Sequence, residues 1–138
     1  MKVFCKDVSK RTEKQIRNEV LLQNKAYEIK VCPKILDTDY KTYIKMEHLD
    51  EMCIADMYGE NFEDMPKEIL DQIYSILTRL YLECDIEYID VTPYNFIEIN
   101  GTLMIIDFGD AQKAPKKDWF LKELFKNGEL KQWNPDFR

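Results

Sequence analysis

Residues 90–109 of this chain read DVTPYNFIEINGTLMIIDFG. Within this stretch, Asn100-Gly101 separates the run Phe-Ile-Glu-Ile from the run Thr-Leu-Met-Ile-Ile, which is a strong signal for a two-residue hairpin turn. Counting outward from the turn, Ile99 faces Thr102, and Asn95 faces the residue just before Asp107. The stretch therefore predicts a β-hairpin whose open end brings Asn95 and Asp107 together.

The open end of this hairpin carries oxygen-bearing side chains. Neighbouring strands lie about 5 Å apart, so Asn95 and Asp107 can both reach one small cation. Asp90 precedes Asn95 by five residues, across a loop that contains Pro93. Two hard oxygen ligands beside a third carboxylate suit magnesium and a phosphate chain. The pattern predicts a metal and phosphate site at this end of the hairpin.

The rest of the chain predicts a mixture of helices and short strands. Thr12 and Gln15 fit a capping box that starts a helix, and Pro33 stops any helix before it. A second helix with a wide apolar face runs from Pro66 to Cys84. The remaining predicted elements are strands at residues 2–5, 34–37 and 42–46, a turn at 37–39, and a short helix at 118–125.

Composition narrows the classes of function. The chain has 138 residues and a net charge of −6, which argues against a general nucleic-acid binder and against electrostatic membrane binding. Its four cysteines are far apart and it has one histidine, so a zinc cluster is not expected. No apolar run reaches the roughly 18 residues of a membrane span, and no secretory signal begins the sequence. These features predict a cytoplasmic protein with reduced thiols.

Two motifs in the opening stretch resemble those of protein kinases. Asp90-Val-Thr-Pro-Tyr-Asn95 matches the Asp-x-x-Pro-x-Asn core of the eukaryotic-like catalytic loop, and Asp107-Phe108-Gly109 matches the magnesium-binding Asp-Phe-Gly element. The resemblance implies that Asp90 orients the acceptor hydroxyl and takes its proton. It also implies that Asn95 and Asp107 hold Mg²⁺ on the phosphates of ATP.

The resemblance extends upstream to the nucleotide-binding half of a kinase. Met46 resembles the gatekeeper, and Glu47 to Leu49 resemble the hinge that holds adenine. Lys2 resembles the lysine that contacts the α- and β-phosphates, because Lys2-Val-Phe looks like the end of that strand, and Lys6 is a rival for the role. Glu19 resembles the helix-C partner of this lysine.

The resemblance implies an α+β, truncated kinase-like fold. Residues 1–50 would form a reduced antiparallel N-lobe sheet with helix C, and residues 51–138 a minimal helical C-lobe that carries the catalytic-loop hairpin. The chain departs from the family in starting at the third N-lobe strand and lacking the Gly-rich loop and the Ala-Pro-Glu element. It has Tyr88-Ile89 where the family has His-Arg, and Thr92 where Ser/Thr kinases have Lys. This trimming resembles small atypical kinases such as the RIO and KEOPS-complex types, and also phosphotransferases that act on aminoglycosides or lipopolysaccharide. It suggests a viral or mobile-element source acting in a host cytoplasm.

Two functions remain open on the sequence. The first is an ATP- and magnesium-dependent phosphotransferase, a minimal serine/threonine kinase-like enzyme that acts on a protein or on a small hydroxyl-bearing acceptor. The second is a catalytically weak or inactive kinase mimic that binds and regulates another kinase. A partner protein or self-association could replace the missing part of the C-lobe in either case.

Overall fold

The structure is a computed structural model that describes residues 2–113 and 128–134. The predicted helix at 118–125 lies outside the described residues. In chain order the regular elements are β1 (Val3–Asp7), α1 (Glu13–Tyr27), β2 (Ile35–Thr38), β3 (Tyr43–Glu47), α2 (Ile54–Tyr58), a 3₁₀ turn (Phe62–Asp64), α3 (Lys67–Cys84), β4 (Ile86–Glu87), β5 (Phe96–Ile99), β6 (Thr102–Ile105) and β7 (Gln112–Lys113).

The first three strands form an antiparallel sheet in the order β1-β3-β2. Strand β1 lies beside β3 with Phe4 opposite Met46. The turn that joins β2 to β3 covers residues 39–42, so it begins two residues later than the predicted turn at 37–39. The carboxylate of Asp39 organises it by accepting hydrogen bonds from the backbone N–H groups of Lys41, Thr42 and Tyr43, at 2.9, 2.7 and 3.2 Å.

Helix α1 begins where the capping box predicts. Thr12 is the N-cap, its hydroxyl accepts from the Gln15 N–H, and the Gln15 side chain accepts from the Thr12 N–H. One face of the helix is buried, and this face includes the charged residue Glu19 beside Ile16 and Val20. The position of the cap and the 3.6-residue period together place Glu19 toward the sheet.

Helix α3 supports the hairpin that the sequence predicts. Strands β5 and β6 pair with Ile99 opposite Thr102, as counted from the turn. Asn100 and Gly101 have φ values of 52° and 82°, which is the backbone of a type I′ turn. Gln72 of α3 fixes this hairpin, because its side chain accepts from the Leu103 N–H at 3.0 Å and donates to the Gly101 carbonyl at 2.9 Å.

The described residues bury two apolar clusters. The smaller lies under the N-terminal sheet and consists of Val8, Ile16, Val20, Ile44 and Met46. The larger surrounds α3 and the hairpin, and it also takes in Leu22 and Ala26 from the second half of α1. The architecture confirms the predicted α+β class, with an antiparallel N-terminal sheet, a packed helix α1 and a hairpin. A division of the chain at residue 50 stays a prediction.

Candidate active site

A cavity of about 250 Å³ separates the three-stranded sheet from the β5–β6 hairpin. Phe4 and Met46 line it from the sheet, and Ile97 and Ile106 line it from the hairpin. Polar groups converge on the same cavity, because Lys6, Asn95 and Asp107 also line it. The site thus combines apolar walls with one group of charged and amide side chains, which is the usual composition of a small-molecule site.

The hairpin brings Asn95 and Asp107 to this cavity as predicted. The register continues past the strands, since the Ile106 N–H donates to the Asn95 carbonyl at 3.1 Å. The Asn95 amide nitrogen donates to the carbonyl and to the carboxylate of Asp90, at 2.8 and 2.9 Å. These two bonds use the nitrogen, so the Asn95 Oδ1 atom remains available as a ligand.

Asp90 is a half-buried carboxylate beside this pair. Burial raises its pKa, the hydrogen bond from Asn95 lowers it, and the negative charges of Asp110 and Asp107 raise it again. The net effect is a raised pKa, which makes the ionised carboxylate a stronger base than a free aspartate. A carboxylate with this character can accept a proton from a hydroxyl group held against it.

Lys6 lies between two carboxylates at the polar end of the cavity. Its Nζ atom is 2.5 Å from Glu19 Oε2 and 2.9 Å from Asp107 Oδ1. Burial by itself would lower the pKa of the ammonium, but the charges of Asp107 and Glu19 outweigh it and raise that pKa. Lys6 therefore keeps its charge in the site and connects helix α1 to the hairpin.

The predicted contact between Lys2 and Glu19 is wrong. Lys2 instead pairs with Asp50 at 3.0 Å on the surface, where the two side chains are 69% and 63% exposed. Its backbone carbonyl accepts the His48 N–H at 3.0 Å, which places Lys2 at the hinge end of β1. Lys6 lies four positions farther along the strand, about 13 Å away at 3.3 Å per residue, and is the lysine that reaches Glu19.

The hinge-like residues line the same cavity. Met46 is 2% exposed, and its sulfur lies 3.6 Å from the amide nitrogen of Gln23 on α1. Glu47 and Leu49 line the cavity next to it. Their predicted contact with adenine stays a prediction.

Comparison with known protein families assigns the chain to one of them. The model of the RIO domain matches residues 4–127. The chain belongs to the RIO domain family. RIO domains are atypical protein kinase-like domains, which implies nucleotide binding. The predicted kinase-like character is therefore confirmed, and the predicted viral source stays a prediction.

Two known proteins are similar to this RIO domain, one in sequence and one in fold. It is 26% identical over 118 residues to serine/threonine-protein kinase CHK1 of Saccharomyces cerevisiae, in an alignment that covers 80% of the chain and 22% of that kinase. It is also similar in fold to Rv3197 of Mycobacterium tuberculosis, solved as a complex with erythromycin, with a TM-score of 0.52 and 22% identity over 78% of this chain and 29% of that one. The RIO domain thus spans less than a third of the length of either protein.

Several contacts of the RIO domain site were missed by sequence reasoning. The hydroxyl of buried Tyr88 donates to the Asp107 carbonyl at 2.6 Å, and the Tyr88 ring packs edge-on against Phe108 at 5.4 Å between centroids. Burial raises the pKa of Tyr88 well above its usual value, so the hydroxyl stays a donor. Tyr88 stands at the position of the His in the kinase motif. This position was the one sequence signal that Tyr88 contacts the site.

Helix α1 and the residue just before its N-cap also hold the segment that follows Asp107. Arg11 donates to the Gly109 carbonyl at 2.6 Å, and Asn18 donates to the Ala111 carbonyl at 3.2 Å. A Cβ atom at Gly109 would lie 3.1 Å from Asp107 Oδ1, so any larger residue there would press on this carboxylate and move it by a few tenths of an ångström. No local pattern in the sequence indicates the Arg11 and Asn18 contacts, because they join residues far apart in the chain.

The part of the chain that the structure describes has no helix long and apolar enough to cross a membrane. The same residues contain no group of three or more His, Cys, Asp and Glu side chains that could hold a metal ion. The oxygen pair of Asn95 and Asp107 is a different kind of donor set. Such a pair suits Mg²⁺, which keeps several ligands from water or phosphate when it binds.

Proposed function

We propose that this RIO domain is an ATP- and magnesium-dependent phosphotransferase, most closely a minimal serine/threonine kinase-like enzyme. The observation that carries the proposal is the convergence of Lys6, Asn95 and Asp107 on one cavity whose opposite walls come from the sheet and the hairpin. Phosphoryl transfer depends mainly on positioning and on neutralising charge. A small scaffold with this arrangement can provide both.

The nucleotide would lie in the cavity with its base toward Met46, Glu47 and Leu49. Its phosphates would extend toward Lys6, which is the only one of the two candidate lysines that contacts Glu19. Lys6 would then exchange its contact with Asp107 Oδ1 for the α- and β-phosphates while Glu19 keeps the ammonium in place. Residues 1–50 and 51–138 would act as the two lobes around this nucleotide.

Asn95 and Asp107 would hold Mg²⁺ through Asn95 Oδ1 and the Asp107 carboxylate. A bound magnesium ion neutralises the phosphates and orients them for in-line attack. Asp90 would orient the acceptor hydroxyl and take up its proton, which agrees with its raised pKa. The acceptor is a hydroxyl group of a protein or of a small molecule, and the enzyme works in the cytoplasm, where ATP and magnesium are supplied.

The test is nucleotide binding followed by transfer. Calorimetry should show tighter ATP binding with magnesium than without, and γ-labelled ATP should transfer label to hydroxyl acceptors or to the protein itself. Equal ATP affinity in the two conditions would contradict the metal assignment. Label transfer that survives in Asp90→Asn would contradict the role of Asp90.

A kinase mimic is the second candidate, and Thr92 favours it. Thr92 stands where Ser/Thr kinases carry a lysine, and its side chain is buried in the loop, where its hydroxyl accepts the Tyr94 N–H at 3.3 Å. The loop thus has no cation at that position for the γ-phosphate. A mimic would bind a partner kinase equally well after Asp90→Asn, whereas an enzyme would lose transfer, so a pull-down and a transfer assay on this one variant separate the two.

A further inference from the structure

The segment after the family-matched region packs back onto the site. The RIO domain model ends at residue 127, and residues 130–134, here called the tail, follow it. Leu130 and Trp133 of the tail are buried, at 7% and 8% exposure. The Trp133 ring meets Phe62 edge-on at 5.0 Å between centroids. The tail is therefore part of the folded core.

Two hydrogen bonds connect the tail to the surroundings of the catalytic loop. The Asn134 N–H donates to the carbonyl of Val91, the residue next to Asp90, at 2.8 Å. The Trp133 Nε1–H donates to the Glu60 carbonyl at 2.9 Å. The carboxylate of the same Glu60 accepts a hydrogen bond from the Tyr94 hydroxyl. The tail thus reaches the loop at Val91 directly and at Tyr94 through Glu60.

One of these contacts lies just before the turn that sets the relation of Asp90 to Asn95, and the other lies within it. The Asn95 N–H donates to the Thr92 carbonyl at 3.2 Å, which closes a turn over residues 92–95 that begins just after Val91 and contains Tyr94. Asp90 and Asn95 are then joined by their own side-chain bonds. A loop held at Val91 and at Tyr94 has little freedom to shift Asp90 relative to Asn95.

We propose that the tail is a positioning element of the active site, in which Trp133 and Asn134 hold the loop from Asp90 to Asn95 in its reactive geometry. The inference rests on the proposed function for its catalytic consequence, although the restraint on the loop can be measured without it. Displacements of about 1 Å at a reacting group can cost on the order of 100-fold in rate. Release of the tail should therefore reduce transfer, while the adenine end of the cavity, lined by Met46, Glu47 and Leu49, continues to bind nucleotide.

The direct test compares Asn134→Pro with Asn134→Ala. Proline removes the N–H that donates to Val91, whereas alanine keeps this N–H and removes only the side chain. Hydrogen exchange of the Asn95 amide reports on loop closure and needs no activity. We expect exchange at least tenfold faster in Asn134→Pro than in Asn134→Ala. We also expect a loss of about tenfold in kcat of Asn134→Pro, with the KM for ATP within twofold of the parent.

A second variant tests the other contact. Trp133→Phe keeps an aromatic ring against Phe62 but removes the donor to Glu60, and it should also accelerate Asn95 exchange. Equal exchange rates in Asn134→Pro, Trp133→Phe and the parent protein would overturn the proposal. If the parent shows no transfer, the proposed function fails, yet the exchange comparison still decides whether the tail restrains the loop. A loss of ATP affinity equal to the loss of kcat would indicate a general structural role and would also overturn the proposal.

Discussion

Replacement of Lys6 by methionine tests the centre of the site. Methionine keeps most of the side-chain length and removes the charge, which leaves the Glu19 carboxylate without its cation. The Glu19 side chain is 1% exposed, and its second oxygen, Oε1, is buried with no partner among the described residues. This carboxylate cannot turn to water for compensation. Asp107, the other partner of Lys6, has a side chain that is 39% exposed. Solvent therefore compensates Asp107 for the lost contact with the Lys6 ammonium.

The magnitude follows from the burial of Glu19. Removing one partner of a buried ion pair costs about 3–5 kcal/mol, and we expect the lower end because Lys6 itself is 21% exposed. A loss of about 3 kcal/mol corresponds to a melting temperature on the order of 10 °C lower for a chain of this size. The matched control is Lys2→Met, which breaks an exposed pair with Asp50 and should change stability by less than about 1 kcal/mol.

The assay is thermal and urea unfolding followed by circular dichroism, together with calorimetric ATP binding. Lys6→Met should lose both stability and ATP affinity, and Lys2→Met should keep both. The double variant Lys6→Met/Glu19→Met should recover most of the lost stability, because it removes both charges from the buried site. Equal losses of stability in Lys6→Met and Lys2→Met would refute the assignment of Lys6 as the lysine that neutralises Glu19. The absence of any recovery of stability in the double variant would refute it as well.

Three further predictions concern the hairpin and the loop. Asp107→Ala should abolish the strengthening of ATP binding by magnesium in calorimetry, because it removes one of the two oxygen ligands. Gly101→Val should lower stability by about 1–2 kcal/mol in urea unfolding and weaken magnesium-dependent ATP binding, because φ is 82° at this position. Asp90→Asn should reduce transfer at least about 100-fold while ATP binding persists. It should also raise the melting temperature at pH 7, because the folded-state pKa of Asp90 is raised.

The sign of the last effect gives a pH test. A carboxyl group whose pKa is higher in the folded protein than in the unfolded chain destabilises the fold once it ionises. The gain in stability from Asp90→Asn should therefore be present at neutral pH. It should disappear as the pH falls below the pKa of the aspartate in the unfolded chain, which is about 4. Melting curves of the parent and the variant at pH 7 and pH 3 measure this. A gain of the same size at both pH values would contradict the raised pKa.

Local chemistry explains what the sequence could predict. The Asn100-Gly101 turn fixes the hairpin register without help from the rest of the chain, so the meeting of Asn95 and Asp107 follows from counting. The Thr12–Gln15 capping box fixes the start of α1, and the helical period then turns Glu19 inward. Each of these features depends on residues close together in the sequence, where turn and cap preferences are strong.

Long-range register explains the error at Lys2. Residues 2, 4, 6 and 8 share one face of an extended strand, so alternation alone cannot distinguish Lys2 from Lys6. The distinction comes from the pairing of β1 with β3, which places Phe4 opposite Met46. That register joins residues 36 to 44 positions apart in the sequence, and no turn connects the two strands directly. The contacts of Arg11, Asn18 and the tail were missed for the same reason.

Asp107 receives hydrogen bonds from two parts of the chain that are far from it in sequence, strand β1 and Tyr88. Its carboxylate accepts from Lys6 and from the Gly109 N–H, at 2.9 and 2.8 Å, while its carbonyl accepts from Tyr88. The hairpin therefore brings Asp107 near Asn95, but strand β1 and the buried Tyr88 determine where its oxygens point. A hairpin with correct register but without Lys6 and Tyr88 would still bring Asn95 and Asp107, the two proposed metal ligands, together, but it would lose two of the contacts that orient the Asp107 oxygens. The function of the site thus depends on the sheet as much as on the motif that first identified it.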